Sequence, residues 1–386
     1  MKILISFALI ALLASMRPAG LWAQEASKWS ATGYVRELPL VGTDQSFRTF
    51  SANNILHQRL NLRYDGGENW SIRLGQRTRY LYGEAFANPL FIDFLASDQG
   101  PLPLSHILLN RGNHVMHTLT DRLYLNWQSG DWQLRVGRQR INWGINLVFN
   151  PNDLFNKYNF FDFDYDERPG TDAFRLTYYD DALSRWEFAF SPALDMRQSV
   201  AAIMRAINHR GYDLQLLTGY FQDRLAVGGG WAGSIGGLGW KGEASYFHDL
   251  RPQADRRPGN VVASTSVDYR FESGLFAIAE VVVNQQRKGL DTETILIIEP
   301  QQADNIAFSD VAIVTSWQYP FRLIHSFSLA SMYFPTEKVV FISPTYSRSL
   351  HTNIDMRVLS QLFIGSSGSP LASAGYNLIG MLTYTF

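Results

Sequence analysis

"LHQRLNLRYDGGENWSIRLGQRTRYLY" spans residues 56–82. Leu56, Leu60, Leu62 and Tyr64 fall on one side of an extended chain, and His57, Arg59, Asn61 and Arg63 on the other, because successive strand side chains point to opposite faces. Asp65–Asn69 is a turn rich in glycine. The second run repeats the rule. Trp70, Ile72, Leu74, Tyr80 and Tyr82 share one face, and Ser71, Arg73, Gly75, Arg77 and Arg79 the other. One ribbon face is apolar with aromatics at its ends, and the other is basic.

The unit recurs along the chain. "RLYLNW" (122–127) turns at Ser129–Asp131 into "WQLRVGRQR". "DAFRLTYY" turns at Asp180-Asp181 into "RWEFAFSP", and "YDLQLLTGYF" turns at Gln222-Asp223 into "RLAVGGGW". Aromatics flank the turns: Tyr64 with Trp70, Trp127 with Trp132, Tyr179 with Trp186, Phe271 with Phe276, Trp317 with Phe321. Longer connections are expected near 38–53, 83–117, 142–171, 193–208 and 286–304. Short turns alternating with long loops, with aromatics at the strand ends, predict an all-β, antiparallel transmembrane β-barrel with short periplasmic turns and long extracellular loops. A soluble sandwich also alternates but has no reason to line up aromatics beside successive turns. The glycines of 224–247 allow either two strands meeting at Gly236-Gly237 or one bent strand. The expectation is about 16 strands, with 14 to 18 allowed.

Composition agrees. Aromatics make up 14% of the chain while mean hydropathy is only −0.13, as alternation would produce. No apolar run beyond the N-terminus is long enough for a spanning helix. There is no cysteine, hence no disulfide framework. A net charge of −1 neither favours nor excludes a polyanionic partner, and no nucleic-acid partner is expected. Lys2, the apolar run Ile3–Leu13 and Ala23 read as a secretory signal peptide over 1–23, leaving 24–386 as the barrel.

The final strand, "YNLIGMLTYTF" (376–386), sets Tyr376, Leu378, Gly380, Leu382, Tyr384 and Phe386 on one face. It resembles the C-terminal signal of bacterial outer-membrane barrels. That resemblance implies an assembly signal at Leu382, Tyr384 and Phe386, with the barrel assembly machinery, outer-membrane lipid and lipopolysaccharide as partners. "VGRQRINWG" (136–144) followed by "NPND" (150–153) resembles a family of uncharacterised porin-like outer-membrane proteins, and more loosely polysaccharide-export and other specialised porins. It implies a channel in the bacterial cell outer membrane and no catalytic set.

Candidate chemistry follows from the basic face. Arg59, Arg63, Arg73, Arg77, Arg79, Arg122, Arg135 and Arg175 would cluster on one pore-lining wall, where guanidinium groups concentrate anions. The plainer reading is that such charges pair with lumen acids. In "NFFDFDYDERPG" (159–170), Asp162, Asp164, Asp166 and Glu167 interleave with aromatics. In general porins an extracellular loop folds inward and carries acids opposite a basic wall, so these four are candidates for a constriction loop; an external hairpin is the alternative. Their spacing starts like a calcium loop, but Glu167 and Ala173 stand where Gly and Glu belong, so no metal site and no cofactor are expected. His114 and His117, with His106, have no third ligand at metal spacing, and His57 and His325 lack a nucleophile motif. An enzyme is not expected. "NPLFIDFLASD" (88–98) is expected to cap or enter the barrel mouth. Arg138 and Arg140, beyond the apolar Trp132, Leu134 and Val136, are expected at the outer headgroups. The resulting expectation is a porin-like channel passing small anionic or polar solutes, compatible with a homo-oligomer. The alternative is an export or assembly barrel handling a polyanionic polysaccharide or a protein partner.

Overall fold

A computed structural model describes residues 27–98, 100–156, 169–251, 258–285, 302–307, 309–366, 369 and 371–386. The signal-peptide reading therefore lies outside the described residues. The chain forms one closed antiparallel barrel of 18 strands, with one further strand inserted in a loop. The strands are β1 (Trp29–Thr43), β2 (Phe50–Asp65), β3 (Trp70–Tyr82), β4 (Ser105–Arg111), β5 (His114–Ser129), β6 (Trp132–Gln139), β7 (Thr171–Asp181), β8 (Ser184–Ser191), β9 (Val200–His209) and β10 (Tyr212–Phe221). They continue with β11 (Arg224–Ile235), β12 (Leu238–Asp249), β13 (Gly259–Arg270), β14 (Phe276–Asn284), β15 (Val311–Arg322), β16 (His325–Phe334), β17 (Val339–His351), β18 (Ile354–Gly365) and β19 (Tyr376–Thr385). Each wall strand pairs with its sequence neighbours, β3 pairs with β5, and β19 closes on β1. Closure of β19 on β1 removes the open ends of the wall, which is what lets strands cross a bilayer.

Two stretches explain the strand number, which falls within the 14 to 18 allowed. The stretch 193–208 is not a long connection, because β9 occupies its second half. Its "AAIMRAIN" alternates small with branched side chains, a weaker contrast than Leu against Arg. The 224–247 stretch is two strands. Gly236 and Gly237 both have positive φ, 59° and 86°, the geometry of a two-residue type I′ hairpin. The first long connection is also shorter than expected, since β1 runs to Thr43 and β2 begins at Phe50. The extra strand moves the Gln222-Asp223 turn to the long-loop end of the barrel.

The apolar sides of the strands face outward. Trp29, Tyr64, Trp70, Trp127, Trp132, Tyr178 and Trp186 ring the end with the short turns; Trp29 and Tyr64 stand 4.7 Å apart, as do Trp132 and Tyr178. Leu125, Phe188, Ile203, Val227, Val261, Val281 and Ile313 supply the exposed band above it. Phe386 continues β19: its N–H donates to the Gly33 carbonyl at 2.9 Å, with the reverse bond at the same length. Leu382, Tyr384 and Phe386 lie outward beside β1. Among the described residues no helix is long and apolar enough to cross a membrane.

Two extracellular loops turn into the barrel, and the buried clusters form around them. The second loop carries a short helix, α1 (Pro89–Ala96). The Asn88 side chain accepts from the Leu90 N–H at 2.9 Å and Pro89 opens the helix, the favoured residues for these positions. Phe86 and Leu95 pack on the inward-facing Leu38, Ile55, Leu81, Val115 and Ile379, so the segment expected at the mouth enters it. The third loop leaves β6 through Gly137, whose φ of +118° and tight approach to the Leu123 carbonyl exclude a side chain. It carries Ile141, Trp143, Phe149, Leu154 and Phe155 against inward residues of β7 through β18.

Candidate functional site: the barrel interior

The registers place basic residues in successive rows on one inner wall. Arg36, His57, Arg79 and His117 form a row across β1, β2, β3 and β5. Toward the short-turn end come Tyr34, Arg59 and Arg77, then Arg122 beside Gly75, then Arg63 and Arg73. Arg135 and Arg175 are cross-strand partners on β6 and β7. All eight arginines read from the sequence therefore stand on the inward side of β2, β3, β5, β6 and β7.

Their surroundings divide them. Arg59 is 3% exposed and makes a bidentate pair with Asp121, at 2.9 and 3.1 Å. Asp121 sits where the β3–β5 register shifts, so one extra residue turns an acid toward the wall. Arg122 approaches the same carboxylate at 3.6 Å. Arg77 and Arg79 are buried, with α1 in the mouth above them and Ser105 beside His117 at 2.9 Å. Lower down, Arg63 and Arg73 are exposed and Arg135 half-buried. Arg63 meets only Asp65 of the adjacent turn, at 2.8 Å. Arg135 bonds Asn126 at 2.9 Å and lies over the Tyr124 ring at 5.7 Å. Arg73 and Arg135 have no carboxylate partner among the described residues. Arg175 is held by Glu187 at 2.6 and 2.8 Å, with Arg185 at 3.6 Å from the same group.

The opposite side of the interior is filled by the third loop, and three buried carboxylates hold it there. Glu243 on β12 accepts from the Ile145 N–H (3.0 Å), the Asn146 N–H (2.8 Å), the Asn150 amide (3.0 Å) and the Asn152 N–H (3.0 Å). Glu280 on β14 accepts from the Phe149 N–H at 2.9 Å and the Val148 N–H at 3.3 Å. Glu187 accepts from the Trp143 indole. Gln215 donates to the Trp143 carbonyl at 2.6 Å, Ser245 to Asn152 at 2.8 Å and Ser266 to Asn146 at 2.8 Å. The "NPND" residues are thus buried anchors of an inward loop. Between this loop and β7–β11 lies a cavity of about 370 Å³ that includes Trp143, Tyr179, Arg185, Asp213 and Gln215 in its lining.

Asp162, Asp164, Asp166 and Glu167 lie outside the described residues. The anchors Glu187, Glu243 and Glu280 escaped the sequence reading. Their signal was available: each is an acid in the middle of a strand, on the face opposite the apolar one, and Glu280 is the lone charge in "FAIAEVVVN". Arg138 corrects an expectation. It keeps outward parity but is 3% exposed, bonded to Asp172 (2.8 and 2.9 Å), to Asp98 (2.9 Å) and to the Leu102 carbonyl (2.8 Å). β6 departs inward at this level, and Asp98 and Leu102, ahead of β4, cover the end of β6, so Arg138 ties loop to wall instead of reaching headgroups. Arg140, just beyond β6, is half-buried. His114 and His117 fall on opposite faces of β5: His117 bonds Ser105 inside, while His114 stacks with Tyr80 and Tyr82 outside. Among the described residues no group of three or more His, Asp or Glu could hold a metal ion.

A closed 18-stranded barrel with an apolar outer band, an aromatic girdle and inward-folded loops has the fold of the outer-membrane porins, and that band fits it to such a membrane. No family model and no curated protein matches the sequence. Among solved structures, the chain is similar to OccK5 (OpdH) of Pseudomonas aeruginosa, with a TM-score of 0.59 at 8% identity, covering 93% of this chain and 98% of that one. It is similar to OccAB1 of Acinetobacter baumannii at a TM-score of 0.57 and 9% identity, over 94% and 99% of the two chains. OmpF of Salmonella typhi, solved with daunomycin, gives 0.51 at 10% identity over 93% and 98%. At these identities the likeness is one of fold.

Proposed function

We propose that the protein is an outer-membrane channel for small anionic or polar solutes, and that the arginine wall lines its path. The carrying observation is the asymmetry of the interior. The third loop packs against one side, while Arg63, Arg73 and Arg135 remain open on the other with a single carboxylate, Asp65, bonded among them. Guanidinium groups stay charged at any physiological pH and raise local anion concentration in a narrow passage. In this reading Arg175 lies beside Arg135 on the same track, and Arg122, Arg59, Arg77 and Arg79 extend it toward the mouth. Asp162, Asp164, Asp166 and Glu167, on the continuation of the inward loop, stand across the passage from it.

Leu382, Tyr384 and Phe386 serve as the recognition strand for the barrel assembly machinery. Lipid and lipopolysaccharide surround the barrel. The protein acts as a conduit and carries out no bond chemistry. The docking of α1 and the third loop inside the lumen also suits the second reading, an export or assembly barrel plugged by its own loops. Planar-bilayer recording separates the two. Steady conductance of the purified protein, with a reversal potential in a salt gradient showing anion preference, is the expected result. A silent or cation-selective barrel overturns the proposal.

A further inference from the structure

At the top of β6 the wall is closed without a ladder. Below this level β6 and β7 are zipped from Trp132–Tyr178 up to Gln139–Thr171. Above it, β4 takes the place of β6 beside β5 and makes no other ladder with a described strand. Between the two lies Gly100–Leu104, a stretch of irregular backbone. Arg138, which it covers, stands six residues above the girdle residue Trp132. That is a rise of about 15 Å for a strand tilted by about 40°, in an apolar band about 25 Å tall. The stretch therefore lies at membrane depth.

Irregular backbone beside lipid must have its polar groups met from within. For the donors this accounting closes. Pro101 and Pro103 carry no N–H. The Gly100 and Leu104 N–H groups donate to Asp98 at 3.3 and 2.6 Å, and the Leu102 N–H to Asp172 at 2.9 Å. The Leu102 carbonyl accepts from Arg138 at 2.8 Å and the Leu104 carbonyl from the Thr120 N–H at 3.0 Å. The side chains of Pro101, Leu102, Pro103 and Leu104 are all apolar, and Leu102 is 42% exposed. This patch of wall thus suits lipid, yet an ion cluster of Arg138, Asp98 and Asp172 holds it where strand pairing holds the wall elsewhere.

Two features lie behind the patch. Gly170 sits between the outward Arg138 and Arg122 of the inner wall: a Cβ there would meet Arg138 Cγ at 3.1 Å and Arg122 Nη1 at 3.2 Å. α1, which leads into Asp98, is apolar except for Asp93, and it leaves Leu90 exposed and Phe91, Ile92 and Phe94 half-buried in the mouth. We infer that Gly100–Leu104 is a lateral portal, through which an amphiphile with a single alkyl chain and an anionic head passes between the lumen and the bilayer. Opening breaks the contacts of Asp98 and Leu102 with Arg138 and Asp172 and separates no strand pair; the Arg138–Asp172 pair across β6 and β7 stays. The head, handed from Arg122 to Arg138, takes the place that Asp98 leaves, so the guanidinium remains opposite an anion throughout. The alkyl chain runs along α1 on one side and among acyl tails on the other. Small solutes without such a chain gain nothing from this exit, so it adds to the axial path and does not depend on it.

The chain has no cysteine, so the portal can be locked by a disulfide. A Cβ at Gly100 would lie 2.7 Å from Asp172 Cγ, which puts Gly100→Cys and Asp172→Cys within bridging reach. A third change, Leu90→Cys on α1, is labelled with bimane while the pair is oxidised, and the protein is reconstituted in phospholipid vesicles. The quencher is stearate bearing a nitroxide near the end of its chain. The inference expects quenching with the pair reduced, a severalfold loss with it oxidised, and none in either state from a phosphatidylcholine bearing the same nitroxide. Equal quenching in both states means entry by the mouth, and none in either state means no entry. Quenching by the two-chain lipid means that the label senses bulk bilayer through the wall. Each of these overturns the inference. Asp98→Asn, combined with Leu90→Cys alone, is a second measure that needs no disulfide. It weakens the hold on Arg138 and should speed the onset of quenching by the stearate severalfold; an onset no faster than with Leu90→Cys by itself also overturns the portal.

Discussion

Replacing Glu243 by Gln should loosen the third loop by an amount that can be worked from its contacts. Four groups of the loop donate to this side chain and none accepts from it, so the site is built for a carboxylate. Three donors converge on Oε1 and one, the Asn152 N–H, on Oε2. In the amide the three bonds to oxygen become neutral, and each weakens by about 1 kcal/mol. The fourth becomes N–H against N–H, leaving a buried donor unsatisfied for about 1–3 kcal/mol. Relief from burying a charge returns part of this, so the loop's docking should weaken by about 2–4 kcal/mol. At about 1.4 kcal/mol per factor of ten, the amide hydrogens of Ile145, Asn146 and Asn152 should exchange about 30- to 700-fold faster. Hydrogen exchange on detergent-solubilised protein reads this directly. The Glu280 side should respond less, since Phe149 and Val148 keep their own acceptor, and strand amides of β12 should be unchanged. Exchange at the three amides within threefold of the parent would refute the reasoning and leave the apolar contacts of Trp143 and Phe149 as the real anchor.

Truncating Trp143 to Ala should destabilise the docked loop by about 3–5 kcal/mol, as large-to-small changes in packed interiors do, and appear as larger current fluctuations in single-channel records. Neutralising Arg63, Arg73 and Arg135 together to Gln should move the reversal potential in a salt gradient toward cations, most strongly in dilute salt where screening is weakest; an unmoved potential removes these three from the path. Changing Asp162, Asp164 and Asp166 to Asn should shift selectivity the other way, and parental conductance and selectivity in dilute salt would place those acids away from the lumen. Deleting Phe386 should reduce the heat-modifiable, membrane-inserted fraction, since its backbone closes β19 on Gly33 of β1 and its ring stacks on Tyr384; unchanged insertion would make it incidental.

The wall was legible wherever the two faces differ strongly. Leu against Arg on β2 and β3, and Leu against Asn or Thr on β19, showed from their alternation which side is apolar. Legibility failed where both faces are small or apolar. β9 was missed because its inward Ala202, Met204 and Ala206 pack on the third loop and so resemble an outward face. A lumen that is filled by its own loops needs apolar residues on its inner side as well, and the rule of apolar-out and polar-in does not anticipate them; the carboxylate anchors do obey that rule and were legible as lone mid-strand acids. Arg138 illustrates the third kind of miss. Its parity was read correctly, but the cover over it comes from Asp98 and Leu102, about forty residues earlier in sequence.

The way the loop is fastened bears on how the interior can stay basic. Had its anchors been arginines pairing with loop acids, the lumen would spend its cations on architecture. Instead Glu243 is satisfied by backbone and amide N–H groups, dipoles that carry no net charge, and Glu280 accepts from two backbone N–H groups of the same loop. Each carboxylate stays 1% exposed on the side away from β2 and β3, surrounded by its own donors. Glu187 straddles the two systems, taking the Trp143 indole from the loop and Arg175 and Arg185 from the wall. Loop position and wall charge are therefore coupled at this residue. Two charges about 8 Å apart at an effective dielectric near 20 interact by roughly 2 kcal/mol, so the orientation of those few groups governs what the remaining passage favours. Glu187→Gln is the substitution in which both readouts, loop exchange and reversal potential, should move together. Glu243→Gln should raise exchange while the reversal potential follows only as far as the loop moves.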